Sequence, residues 1–161
     1  MLPFRRILVT TDFSDTSLTA IPAAVELASH FDAEIVLVHV LPVDAPTPWD
    51  IPPYADFGLA SSPLPEYERQ VRQEVERRLA QVAAQHAPGG AKVRTIVGRG
   101  DPAAEVSRIA QAEKIDLVVL ATHGWTGWRH LVFGSVAEKI LREAPCPVLS
   151  VRKPATATPV A

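Results

Sequence analysis

The chain has 161 residues, the length of one ordinary domain, with 47% hydrophobic and 21% charged residues, the balance of a packed core rather than a disordered chain. A net charge of -2 argues against a nucleic-acid binder, and no apolar run approaches the ~18 residues of a membrane span. One cysteine, Cys146, excludes an intramolecular disulfide and a multi-cysteine metal site, and the start lacks a signal-peptide pattern, so a cytoplasmic protein with neither nucleic-acid nor membrane partners is expected.

Ile7-Leu8-Val9 is a continuous apolar run, as expected of a strand buried on both faces. The polar run Ser14 to Ser17 leads into a helix carrying Leu18, Ile21, Val25 and Ala28, with a kink expected at Pro22. Ile35 to Val38 reads as the second strand. A proline-rich segment, 42–65, then holds seven of the fifteen prolines and reads either as a functional loop or as a plain connector. Tyr67, Val71, Val75, Leu79 and Val82 form one stripe on a long charged helix.

Val93 to Val97 reads as a strand near an edge, because Arg94 and Thr95 interrupt it. Asp101-Pro102 reads as an N-cap followed by proline at the first helical position, with Val106, Ile109 and Ala110 facing inward. Leu117 to Leu120 is the fourth strand. Ser135 to Glu138 has capping-box spacing and opens a helix that Ala144-Pro145 stops. Val148 to Val151 is the fifth strand, and the tail 154–161 is expected to fray.

Four strand-helix units followed by a fifth strand predict a doubly wound, five-stranded, mainly parallel α/β sheet with helices on both faces, one domain over 1–153. In such a sheet ligands bind beyond the carboxyl ends of the strands, where chain order reverses. The residues there are Thr10-Thr11-Asp12, His39-Val40, Gly98 to Pro102, and the stretch from Ala121-Thr122-His123-Gly124 to Gly134-Ser135. That last stretch carries Gly124, Gly127 and Gly134 ahead of a helix start at Ser135, the makings of a phosphate cradle. Capping alone also explains Ser135 with Glu138, and glycine-rich loops are common. Arg129 suits a phosphate or solvent, His39 reads as a satisfied core histidine, and Cys146 as inert packing.

Ile-Leu-Val-Thr-Thr-Asp-Phe-Ser at 7–14, His39-Val40, Gly98-x-Gly-x-Pro102, Ala121-Thr-His-Gly124 followed after nine intervening residues by Gly134-Ser135, and Pro145-Cys-Pro-Val-Leu-Ser-Val151 together resemble the universal stress protein family. The resemblance covers roughly residues 3 to 153. It implies a Rossmann-like, adenine nucleotide alpha hydrolase-like fold, a homodimer, and ATP as ligand, with Mg²⁺ in company. By matched position, Thr10, Thr11 and Asp12 lie near the nucleotide, Asp12 beside the ribose or a phosphate-bound metal. The backbone of Val40 pairs with the adenine edge. Ala121, Thr122, His123, Gly124 and Gly127 wrap ribose and phosphates, and Gly134, Ser135 and Val136 hold phosphates.

Ala121 stands where the family signature has its first glycine. If that position needs positive φ, alanine costs ~1 kcal/mol or more. If it only lines the pocket, the change is mild. No Gly-x-x-x-x-Gly-Lys-[Ser/Thr] loop is present, so any ATP hydrolysis is expected to be slow. The competing reading is a nucleotide-independent dimeric interaction protein. Pairing through the edge of Val148 to Val151 is expected, and proline at Leu149 is expected to weaken it.

Overall fold

The computed structural model describes residues 2–42, 64–87, 90–122 and 135–152. Its strands are β1 (Arg6–Thr10), β2 (Glu34–Leu41), β3 (Val93–Arg99), β4 (Leu117–Thr122) and β5 (Val148–Arg152). Its helices are α1 (Asp15–Leu18), α2 (Ala20–Phe31), α3 (Leu64–His86), α4 (Pro102–Ala112) and α5 (Ser135–Glu143). The strands form one parallel sheet in the order β3-β2-β1-β4-β5. The proline-rich segment from 43 to 63 and the tail from 153 lie outside the described residues.

The two-residue period of a strand splits the central apolar runs between two cores. Ile7, Val9, Ile35, Leu37, Leu117 and Val119 face α2 and α3, where Ile21, Ala24, Leu79 and Val82 are buried. Leu8, Val36, Val38, Val118 and Leu120 face α4 and α5, meeting Val106, Ile109 and Ile140. Every residue of β1 from Ile7 to Val9 is fully buried, which is why the run is continuous rather than alternating. Each such side chain is worth about 1.5–3 kcal/mol of burial.

The expected kink at Pro22 is instead a break at Thr19, which divides the helix into α1 and α2. Proline has no N–H for the carbonyl four residues earlier, that of Leu18, and its ring crowds the same oxygen. The disruption therefore falls one turn before the proline. The Thr19 hydroxyl donates to the Thr16 carbonyl at 2.6 Å and closes the first helix. Asp101 caps α4 as expected, its Oδ1 accepting from the Ala104 N–H at 2.9 Å, with Pro102 next.

Both predicted edge strands are edges, and they differ. On β3, Arg94 is held by Glu34 and Glu113, and Arg99 by Glu68. On β5, Leu149 is exposed, and among the described residues no ion pair involves its side chains. The Val118 N–H donates to the Pro147 carbonyl, and strand residues alternate sides, so Leu149 turns its backbone inward to β4. The groups facing outward are those of Val148, Ser150 and Arg152. Proline at Leu149 would thus break the internal ladder, and Ser150 is the position that tests the outer edge.

Candidate functional site

The chain leaves β1 toward β2 and β3 on one side and returns to β4 and β5 on the other, so order reverses between β1 and β4. β1 stops at Thr10, whereas β2 runs on to Leu41 and β4 to Thr122. A cavity of about 300 Å³ opens in that gap. Val38, Val40, Leu120, Val106 and Ile140 give it apolar walls, and Thr10, Asp12, Thr122 and Ser135 bring polar groups to it. Convergent polar groups in an apolar cleft are the usual composition of a small-molecule site.

The turn after β1 is tied down by its own side chains. The Thr11 N–H donates to the Val38 carbonyl at 2.9 Å, the last bond of the β1–β2 ladder. The Thr11 Oγ1 accepts from the Phe13 N–H at 2.9 Å and lies 2.9 Å from the Ser17 Oγ. Ser17 gives its own proton to the Ser14 carbonyl, so Thr11 donates to Ser17. The Thr11 hydroxyl is therefore committed to the turn, although Thr11 lines the cleft. Asp12 Oδ1 accepts from the Ser14 N–H at 2.9 Å and from its hydroxyl at 2.5 Å. Burial alone would raise the Asp12 carboxyl, but these bonds outweigh it and hold the group below its ordinary value. Ser14, not Asp12, caps α1.

Val40 brings backbone to the cleft. Along β2 the Glu34 N–H reaches Arg5 and the Val38 carbonyl takes the Thr11 N–H, while the Ile35 N–H and the Leu41 carbonyl bond toward β3. Even-numbered residues of β2 thus face β1. Val40 is the next even residue, and β1 has already turned away. Among the described residues nothing takes its N–H, which opens on the cleft.

Opposite it, Ala121 is an ordinary strand residue in register with Val151, without positive φ. Its methyl group therefore costs space and no backbone strain, which decides between the two readings of this position. Thr122 is buried and lines the cleft, and its hydroxyl has no partner among the described residues. Ser135 is the first helical residue of α5, one position inside the capping place expected for it, and its hydroxyl makes no capping bond among the described residues. Val136 stands exposed beside it, also lining the cleft. Lys139 on α5 reaches Asp101 Oδ1 at 3.0 Å and ties α5 to the start of α4.

The structure thus gathers Thr10, Thr11, Asp12, Val40, Ala121, Thr122, Ser135 and Val136 around one cavity. His123, Gly124, Gly127, Arg129 and Gly134 lie outside the described residues. Sequence reading missed the wall residues Val38, Val106, Leu120 and Ile140, which look like plain core. It also missed Ser17, one helical turn beyond Ser14. Among the described residues, Asp12 is the only carboxylate lining the cleft, and no group of three or more metal-ligating side chains occurs.

A family model described as the Universal stress protein family matches residues 3–152. The chain is 34% identical over 151 residues to Universal stress protein MJ0531 of Methanocaldococcus jannaschii, covering 94% of this chain and 84% of that one. Among solved structures it resembles hypothetical protein MJ0577, with a TM-score of 0.71 at 24% identity over 95% of this chain and 99% of the other. It also resembles the universal stress protein from Archaeoglobus fulgidus in complex with dAMP, with a TM-score of 0.59 at 17% identity over 93% and 98%. These structural likenesses bear on the fold, and the family match with MJ0531 on descent. The chain belongs to the universal stress protein family.

Proposed function

We propose that the chain binds an adenine nucleotide, ATP with Mg²⁺, in the cleft between β1 and β4 and acts as a nucleotide-dependent regulatory switch. The observation that carries this reading is the Val40 backbone edge, unpaired among the described residues, beside an apolar cleft. A purine presents a donor and an acceptor along one edge and a flat apolar face, which such a site suits. A family relative of the same fold is described in complex with dAMP. The α5 start offers free N–H groups and the Ser135 hydroxyl to phosphate. His123, Gly124, Gly127, Arg129 and Gly134 belong to this reading as the segment that wraps ribose and phosphates.

Among the described residues Asp12 is the one carboxylate at the cleft, so a polyphosphate beside it calls for a divalent cation. Asp12 would hold that ion together with phosphate oxygens, since no cluster of protein ligands surrounds it among the described residues. Mg²⁺ there would neutralise phosphate charge.

Val40→Pro tests the reading. It removes an N–H that no described group uses, so the fold loses no ladder bond. Calorimetric titration with ATP and Mg²⁺ is expected to show affinity falling by about 10–100-fold. Unchanged affinity would remove the base from Val40. Absence of binding to the unaltered protein would move the function to a nucleotide-independent dimer. The dimer itself we assign to the outer edge of β5. Ser150→Pro removes an outward N–H while leaving the β4 ladder intact, and light scattering is expected to show the pair dissociating. A variant that stays dimeric would place the interface elsewhere.

A further inference from the structure

We propose that the His39 side chain ends the β1–β2 ladder one bond early and so releases the Val40 N–H into the cleft. In a parallel ladder, Thr11 should donate to the Val38 carbonyl and then accept from the Val40 N–H. The first bond is made, at 2.9 Å. The second is absent among the described bonds, and the Thr11 carbonyl is instead bonded to His39 Nδ1 at 2.8 Å. A carbonyl only accepts, so the proton sits on Nδ1. An imidazole N–H thus stands in for the backbone N–H of the next residue. The Val40 donor, displaced from the sheet, is the group offered to the ligand.

The imidazole is held in that place from outside. Phe13 stacks on it, with ring centroids 4.5 Å apart and planes 29° from parallel. The Arg78 guanidinium of α3 lies 4.5 Å from the Phe13 centroid on the cation–π contact. Phe13 adopts φ +65°, a conformation costly for an aromatic residue, and its N–H bonds to Thr11 Oγ1. A bulky residue in that conformation needs surroundings that enforce it, and the stack and the Thr11 hydroxyl do so. His39 is accordingly a positioning residue, and Phe13 with Arg78 orients it.

The inference rests on the nucleotide reading only for its consequence, since ladder termination is a property of the free protein. The test is amide hydrogen exchange at Val40, followed by NMR, in the unliganded wild type, His39→Phe and His39→Gln. The expected result is rapid exchange in the wild type. In His39→Phe the Thr11 carbonyl is vacant, so Val40 should bond to it and exchange at least tenfold more slowly. His39→Gln retains a side-chain N–H donor and should return exchange toward the wild-type rate. A purely structural histidine predicts the opposite sign, with its loss loosening the strand end and speeding exchange.

Slow exchange at Val40 in the wild type, or no slowing in His39→Phe, overturns the proposal. The first criterion needs no variant, so a His39→Phe chain that fails to fold does not protect the idea. Titration with ATP and Mg²⁺ on the same three proteins is expected to show about a tenfold weaker affinity in His39→Phe and recovery in His39→Gln. If the wild type binds no nucleotide, the proposed ligand is wrong, while the exchange data still decide whether His39 ends the ladder.

Discussion

The two ends of the sheet are built on different principles. At the amino end, Asp116 Oδ2 accepts the Arg5 and Arg6 N–H groups at 2.8 and 2.9 Å, and Arg6 donates to the Glu113 carbonyl. Glu34 and Glu113 share Arg94 there. Opposite charges close that end. At the carboxyl end, the strands beside β1 overrun it, and among the described residues the gap carries hydroxyls, an unpaired amide and one carboxylate. One end leaves little unsatisfied, and the other keeps hydrogen-bonding capacity in reserve. The contrast teaches where stability and function separate in this fold, because a site needs groups that folding has not already used.

Substitutions at the two ends should therefore move different observables. The largest effect expected is from Asp116→Ala, which strips the acceptor from two backbone donors. Urea unfolding should show a loss of about 2 kcal/mol with nucleotide affinity unchanged. A matching loss of affinity would break the contrast, by showing that the ends are coupled. Ser135→Ala should do the reverse. Its hydroxyl makes no bond that the described fold uses, so stability should hold within ~0.5 kcal/mol while ATP affinity falls about three- to tenfold.

The smallest effect concerns acid. The Asp12 carboxyl sits below its ordinary value despite the opposing pull of burial, because Ser14 bonds to the ionised form. Its contribution to stability is therefore full above the unfolded value and is lost as pH falls through the lowered folded one. Asp12→Asn should lower stability slightly at neutral pH, where that contribution is full, and so flatten the acid limb, the two stability curves converging below about pH 4. An unaltered limb would mean that other carboxylates carry it.

Much of this molecule was legible before any coordinates. Continuous apolar runs announced buried parallel strands, and Asp101-Pro102 announced a capped helix. The carboxyl-end rule then placed Asp12, Val40 and Ser135 at one cavity from chain order alone. The helix break was missed because proline acts one turn upstream, on Leu18, and the eye stops at Pro22. His39 was legible as a satisfied histidine, but not as the residue that frees Val40. That depends on which side of the strand each backbone group faces, a matter of register that composition does not encode. For the same reason the sequence points to Leu149 as the outer-edge position, where the bond directions point to Ser150.

The unlike edges of the sheet have a consequence for valence. A sheet with two receptive edges can add a copy at each and grow without limit, as fibrous assemblies do. Here the paired arginines of β3 make one edge a poor template, while among the described residues β5 presents bare backbone and an exposed leucine. Such edges would make the chain monovalent in backbone pairing. Two copies joined edge to edge through β5 would consume their receptive strands and leave only guarded ones outside. In an assembly built that way, the charges on β3 would act as a stop that limits growth to a closed pair.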